Sequence, residues 1–327
     1  FVVEVGGVAP VIGGPGTVTV NTNPGECSGI ANFVATDATG IPASTITYSI
    51  APGSNFNVGT TQVTATATNA VGSSSVTFDI VVVDNEAPVA SAQDISITLD
   101  ASGNASITAA QIDNGSSDAC GIASMSISQE DFDCSHVGAN TVTLTVVDNN
   151  GNSHASTATV TVVDATAPIV LTQNISINLD ANGTASITAA QIDNGSTDAC
   201  GIASMSVSPN NFDCSHVGTN TVTLTVTDIN GNDASATATV EVFDLTSPTV
   251  LTQNITIDLD ANGQASIGAS QVDNGSNDAC GIASMSVSSN QFDCSQVGAN
   301  FVTLTVTDVN GNSASSTAVV TVQDVTL

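Results

Sequence analysis

Three stretches of this chain are near-copies of one another, set at a fixed interval of 80 residues. Asp-Ala-Cys-Gly-Ile-Ala-Ser-Met-Ser begins at Asp118, Asp198 and Asp278. Phe-Asp-Cys-Ser begins at Phe132, Phe212 and Phe292, and Asp-x-Asn-Gly-Asn begins at Asp148, Asp228 and Asp308. Such a unit is too long for a one-layer solenoid repeat and long enough for a small domain. Three copies therefore predict three beads in series. A segment of similar size but different sequence, residues 6–84, precedes them.

Each copy reads as strands. Ile95, Ile97 and Leu99 alternate with polar residues, as do Val142, Leu144 and Val146, and Ala158, Val160 and Val162. A period of two with one apolar face marks a sheet packed on one side. Turn signals at Ala101-Ser102-Gly103-Asn104, Asp113-Asn114-Gly115 and Asn150-Gly151-Asn152 punctuate the strands. The expectation is all-β: tandem immunoglobulin-like β-sandwiches. Thr108–Ile112 is open to a strand or one helical turn capped by Thr108, and the turn is favoured.

Asp84-Asn85-Glu86-Ala87-Pro88, Asp164-Ala165-Thr166-Ala167-Pro168 and Asp244-Leu245-Thr246-Ser247-Pro248 mark the junctions. They divide the chain into residues 1–5 (the last strand of a preceding domain), 6–84, 85–164, 165–244 and 245–327. Linkers this short leave little slack, so the domains are expected to form a rod.

The chain has 30 Asp and Glu but no Lys or Arg. Nucleic-acid binding, which needs cationic side chains on phosphate, is excluded. So are a P-loop and a basic membrane patch, and no apolar run is long enough to span a bilayer, so no membrane contact is expected within this segment. Three His are the only possible cationic partners for the carboxylates.

Six of the seven Cys fall 14 residues apart, one pair per repeat: Cys120/Cys134, Cys200/Cys214 and Cys280/Cys294. Each pair is expected to form an intradomain disulfide, stabilising by about 3 kcal/mol. Disulfides place the chain outside the cell. Cys27 is left over and is expected to be a buried free thiol.

In a sandwich, the incoming linker, the loop after the second strand and the last hairpin share one end. In the first repeat this end carries Asp84, Glu86, Asp113, Asp118, Asp148, Asn150 and Asn152. The set recurs as Asp164, Asp193, Asp198 and Asp228, and as Asp244, Asp273, Asp278 and Asp308. Several oxygens with no basic partner suit a hard cation, and Ca2+ bound at each junction is the expectation, at roughly 10⁻⁴–10⁻³ M. In the first domain Gly6 replaces the linker Asp, and Asn69 with Gly72-Ser73 replaces the hairpin set, so the two acidic groups are lost together. The competing reading is local turn chemistry, in which Asp and Asn bond their own backbone.

Val11-Ile12, Val18-Thr19-Val20, Asn23-Pro24-Gly25-Glu26-Cys27, Phe56-Asn57-Val58-Gly59-Thr60-Thr61-Gln62-Val63 and Val81-Val82-Val83-Asp84-Asn85-Glu86-Ala87-Pro88 resemble a hyalin repeat (HYR) domain. Gly13-Gly14 and Ser74 or Ser75 stand where that family usually has further cysteines. Residues 85–327 resemble the tandem repeats of giant surface adhesins of Bacteroidetes such as the gliding adhesin SprB. The resemblance is carried by Gln111-Ile112-Asp113-Asn114-Gly115-Ser116-x-Asp118-Ala119-Cys120-Gly121-Ile122 and by Val137-Gly138-x-Asn140-Thr141-Val142-Thr143-Leu144-Thr145-Val146. The first resemblance implies an immunoglobulin-like fold and cell adhesion, and the second a repetitive adhesin stalk outside the cell.

The expected function is a stalk segment of a secreted cell-surface adhesin or surface filament, with gliding motility as one setting. Its partners would be neighbouring repeats of the same chain and an adhesion ligand such as a surface glycan. The alternatives are direct binding of glycan or ice by the repeats, and self-association into a fibre. A scarcity of aromatics, with no Trp and one Tyr, disfavours glycan stacking. His136, His154 and His216 read as solvated side chains, since Gln296 occupies the matching position of the third repeat. No nucleophile–base pattern is present, and an enzyme is not expected. Because trypsin cuts after Lys or Arg, prolonged trypsin treatment should leave the intact mass unchanged in a mass spectrum.

Overall fold

The computed structural model describes residues 6–37 and 39–325. The strand expected at residues 1–5 lies outside the described residues. The chain divides into two compact units, Phe1–Ala165 and Thr166–Leu327. Each unit carries two sandwiches of the same design, and the protein is all-β with tandem immunoglobulin-like modules.

The first repeat shows the design. Its strands are Ile95–Thr98, Asn104–Ser106, Ile122–Ile127, Asp131–Asp133, Gly138–Asp148 and Ser153–Val163. Four of them form one sheet, in the order Ile122–Ile127, Gly138–Asp148, Ser153–Val163, Ile95–Thr98. The first strand runs parallel to the last, and the other pairings are antiparallel. Asn104–Ser106 and Asp131–Asp133 pair as the second layer. In the second unit, Ile175–Asn178 and Ile255–Asp258 likewise lie parallel to Asp233–Phe243 and Ser313–Gln323. The first module keeps this frame, with Val18–Asn21 parallel to Ser73–Val83 and Ser28–Ala31 paired with Ser54–Asn57.

Alternation along the long hairpin builds the core. Val142, Leu144, Val146 and Val160 are fully buried, while the intervening Thr residues face outward. Burying a side chain of this size stabilises by about 1.5–3 kcal/mol. The first module has a different core, in which Phe33 meets Tyr48, Phe56 and Phe78 edge-on at 5.4, 6.2 and 5.2 Å. Each repeat instead buries a single Phe on its short second-layer strand (Phe132, Phe212 or Phe292).

Ala109–Ile112 is a helical turn, and Ile112 is its buried anchor. The cap comes from Gln111, whose Oε1 accepts from the Thr108 backbone N–H at 2.8 Å. In the last repeat Gly268 N donates to Gln271 Oε1 in the same way, at 2.7 Å. The cap therefore needs the Gln and not the Thr hydroxyl.

Leu224→Ala empties a fully buried site and should lower stability by about 2–5 kcal/mol in chemical denaturation. Thr221→Ala on the exposed face of the same strand should change it by less than about 0.5 kcal/mol.

Candidate functional site

The disulfides correct the expected pairing. Cys27 bonds Cys120 across 93 residues of sequence, and Cys214 bonds Cys280 across 66, with Cα–Cα distances of 4.7 and 5.1 Å. The expected pairs Cys120/Cys134, Cys200/Cys214 and Cys280/Cys294 are therefore all replaced. Cys134 and Cys200 are each disulfide-bonded. The exposed Cys294, not Cys27, is the free thiol among the described residues.

Geometry explains why the 14-residue spacing misleads. The strand Ile122–Ile127 runs between Cys120 and Cys134. Six extended residues traverse about 20 Å, far beyond the roughly 7 Å limit for Cα atoms joined by a disulfide. Cys120 stands at the incoming-linker end beside Asp84, whereas Cys134 stands against Gly103 at the outgoing end. Within each unit the bonds therefore tie one module to the next. In the chain-entropy picture, loops this long contribute about 4–5 kcal/mol.

The sulfur changes strands between the two module types. Ser28 pairs with Asn57 as Asn104 pairs with Asp133, so Cys27 corresponds to Gly103 and Val58 to Cys134. In the repeats the Cys has moved to the opposite strand and a Gly lies beneath it. Gly183 shows what the exchange requires. Its φ is +73°, and a Cβ there would meet Cys214 Sγ at 2.7 Å and Ala279 Cβ at 3.1 Å.

The carboxylates sort into two groups. Asp84 and Asp118 approach one another at the junction, where a carboxylate oxygen of each and Cys120 Sγ lie within 4.8 Å of one another. Asp244, Asp278 and Cys280 repeat this grouping in the second unit. Asp84 is only 5% exposed, and its Oδ1 accepts from Thr22 Oγ1 at 3.3 Å and Glu86 N at 3.1 Å. Its Oδ2 is buried and accepts no hydrogen bond. The same is true of Asp244 Oδ2. Asp118 Oδ1 accepts from Cys120 N at 2.7 Å, and Asp278 Oδ1 from Cys280 N at 2.8 Å. Asp198 makes the same bond to Cys200 N, and Asp164 is buried. Glu86 reaches back to the preceding module, its Oε2 accepting from Gly25 N at 2.8 Å.

The other expected ligands are committed to turns and lie outside these groupings. Asp113, Asp193 and Asp273 accept from the backbone two and three residues ahead. Asp148 accepts from Asn150 N, Asn152 N and Asn152 Nδ2, all at 2.8 Å, and Asp228 and Asp308 do likewise. In the first module Asn69 caps the equivalent turn, so an amide suffices there. This hairpin still contributes to the joint: Asn152 Nδ2 donates to Asp84 O, and Asn312 Nδ2 to Asp244 O, both at 3.1 Å.

These turns bear on ionisation. At Asp148 burial pushes the carboxyl up, but the Asn152 side chain and the surrounding backbone N–H groups outweigh it and hold it below the ordinary value. The hydroxyls of Ser116 and Ser135 lead in lowering Asp113 and Asp133. His136 Nδ1 lies 2.8 Å from Asp133 Oδ1, as an ion pair when the imidazole is protonated, and 3.2 Å from Asp133 N; in the third repeat Gln296 Oε1 accepts from Asp293 N at 3.1 Å. Both side chains reach back to the backbone N–H three residues earlier, a contact that an amide makes as well as an imidazole. His154 is exposed, yet its Nδ1 accepts from Ala90 N at 3.1 Å.

No family model matches the chain. Hyalin of Strongylocentrotus purpuratus is 32% identical over 343 aligned residues, covering 99% of this chain and 28% of hyalin. The chain thus spans little more than a quarter of that relative. Among solved structures, a titin I-band fragment, I67–I69, is 11% identical at a TM-score of 0.37, covering 72% of this chain and 98% of the fragment. Sidekick-1 immunoglobulin domains 1–5 are 8% identical at 0.34, covering 96% and 81%. Protocadherin gamma B7 cadherin domains 1–4 are 16% identical at 0.30, covering 80% and 82%.

Gly183→Ala should block the Cys214–Cys280 bond, raising the thiol count of the denatured, unreduced chain by two. Stability should also fall in acid. The carboxyls with resolved shifts are shifted downward, so the unfolded state binds more protons than the folded state. Their contribution is complete above the unfolded value of about 3.9 and is lost as pH drops through the folded values. Denaturant midpoints measured from pH 6 to pH 2 should fall steeply below about pH 4.

Proposed function

We propose that this chain is a stalk segment of an extracellular, cell-surface adhesion-type repeat protein, built from hyalin-like repeats. Its work is mechanical: it carries load and holds binding elements away from a surface. The observation that supports this best is the disulfide between modules. A bond such as Cys27–Cys120 does little for the interior of either partner, but it stops the two from separating under tension. Similarity to hyalin along nearly the whole chain supports the same reading. The bacterial-adhesin resemblance extends the proposal to a surface filament, including one used in gliding.

Ca2+ is the proposed cofactor at the joint. The hard oxygens of Asp84 and Asp118, and of Asp244 and Asp278, fit it. Asp84 Oδ2 and Asp244 Oδ2 are buried carboxylate oxygens that accept no hydrogen bond. Two carboxylates fall short of the six to eight oxygens Ca2+ takes, so water would complete its shell and affinity would be low. When bound, the ion neutralises charge between modules. The residues themselves hold the linker against the hairpin through Asn152 and Asn312.

Single-molecule pulling tests the mechanical reading. Before reduction, the disulfides should withhold the segments they enclose from the extending chain; a phosphine reductant should release them as added contour length. Equal contour lengths in both conditions would remove the load-bearing role. In calorimetry, Ca2+ should bind in the oxidised chain and bind measurably less after Asp84→Asn with Asp118→Asn.

A further inference from the structure

The joint carboxylates and one sulfur of each staple occupy one small volume. Asp84, Asp118 and Cys120 each bring a ligand atom within 4.8 Å of the others, and Cys27 is bonded to Cys120. Asp244, Asp278 and Cys280 do the same, with Cys214 bonded to Cys280. Both copies contain a carboxylate oxygen that is buried and accepts no hydrogen bond. Leaving such an oxygen unpaired is costly, and its recurrence in two units points to an occupant.

The donor set depends on the state of the sulfurs. With the disulfide closed, both sulfurs are uncharged, and the carboxylates remain as hard ligands. Reduction by a thiol changes this: two reductant thiols become one disulfide, and each joint gains two cysteine thiols. The thiol of Cys120 or Cys280 then stands beside two carboxylates, and the released thiol of Cys27 or Cys214, its former bonding partner, is the neighbour that can turn onto the same ion. On binding a divalent ion the thiols lose two protons, giving an S2O2 set that suits a tetrahedral zinc-class cation.

We infer that each joint, while its staple is open, binds a zinc-class divalent cation through Cys27, Cys120, Asp84 and Asp118 in the first unit and through Cys214, Cys280, Asp244 and Asp278 in the second. The ion holds the modules together in the newly made chain before its disulfides form. This rests on the joint being the working site proposed above. It is tested separately, because the pulling experiment compares closed with reduced staples and adds no zinc.

The test uses the full chain reduced with a water-soluble phosphine, which takes oxygen from water to become the phosphine oxide and leaves two thiols per staple. Iodoacetamide alkylation is then followed by peptide mass spectrometry with and without Zn2+, after cleavage at acidic residues. Zinc should slow alkylation of Cys27, Cys120, Cys214 and Cys280 by about tenfold or more, and leave the exposed Cys294 unchanged. Equal slowing at Cys294, or none at the four, overturns the proposal. In Asp84→Asn with Asp118→Asn, protection should be lost at Cys27 and Cys120 but kept at Cys214 and Cys280, so the second joint reports that the chain still folds. Protection kept at Cys27 and Cys120 would remove the carboxylates from the site and overturn the S2O2 assignment. Co2+ in place of zinc should give thiolate charge-transfer absorption with tetrahedral visible bands. An octahedral spectrum would contradict the geometry.

Discussion

A chain without a single Lys or Arg has to join its modules without conventional salt bridges. Every carboxylate must find an N–H or hydroxyl donor, a cation or water. Every joint must be held by something other than opposite charge. The protein meets the first demand with turns, in which carboxylates such as Asp148 collect backbone amides. It meets the second with sulfur, side-chain hydrogen bonds and short linkers. The staple is the strongest of these, and the Gly beneath Cys214 and the carboxylates beside Cys280 make sense only around it.

Much of the fold was legible in the sequence because it depends on local pattern. Alternation in Val142–Val146 and Ala158–Val162 indicated the buried face, and the structure buries those residues. The helical turn at Ala109–Ile112 was legible from Thr108 as a capping residue, whereas the part played by Gln111 was not. The meeting of linker and last hairpin followed from strand order, and Asn152 on Asp84 realises it. Disulfide pairing was not legible, because sequence distance is a poor guide across a strand. Fourteen residues looked close, but a strand carries them to opposite ends of the module. The clue was the odd cysteine. With seven in a row, the one left over could be the first or the last, and assigning it to Cys27 shifted every pair.

The acidic clusters were legible as positions but not as roles. Asp113, Asp118 and Asp148 share a residue type and one end of the module. Only coordinates separate a carboxylate saturated by its own turn from one with an oxygen to spare. Asn69 in the first module was the available hint, since an amide at the hairpin position argues for turn bonding rather than metal ligation. The exchange between Cys27 and Cys134 has the same lesson. Two modules of different sequence keep a staple at the same end by placing sulfur on either of two paired strands, provided the opposite strand makes room.

The joints depend on which sulfurs are bonded, and that can be measured directly. The unreduced chain would be blocked with a thiol reagent, cleaved at acidic residues, and its linked peptides identified by mass spectrometry. The structure predicts peptides joining Cys27 to Cys120 and Cys214 to Cys280, with the blocking group on Cys294. Linked peptides joining Cys120 to Cys134 and Cys280 to Cys294, with Cys27 blocked, would show modules closed on themselves and would contradict it.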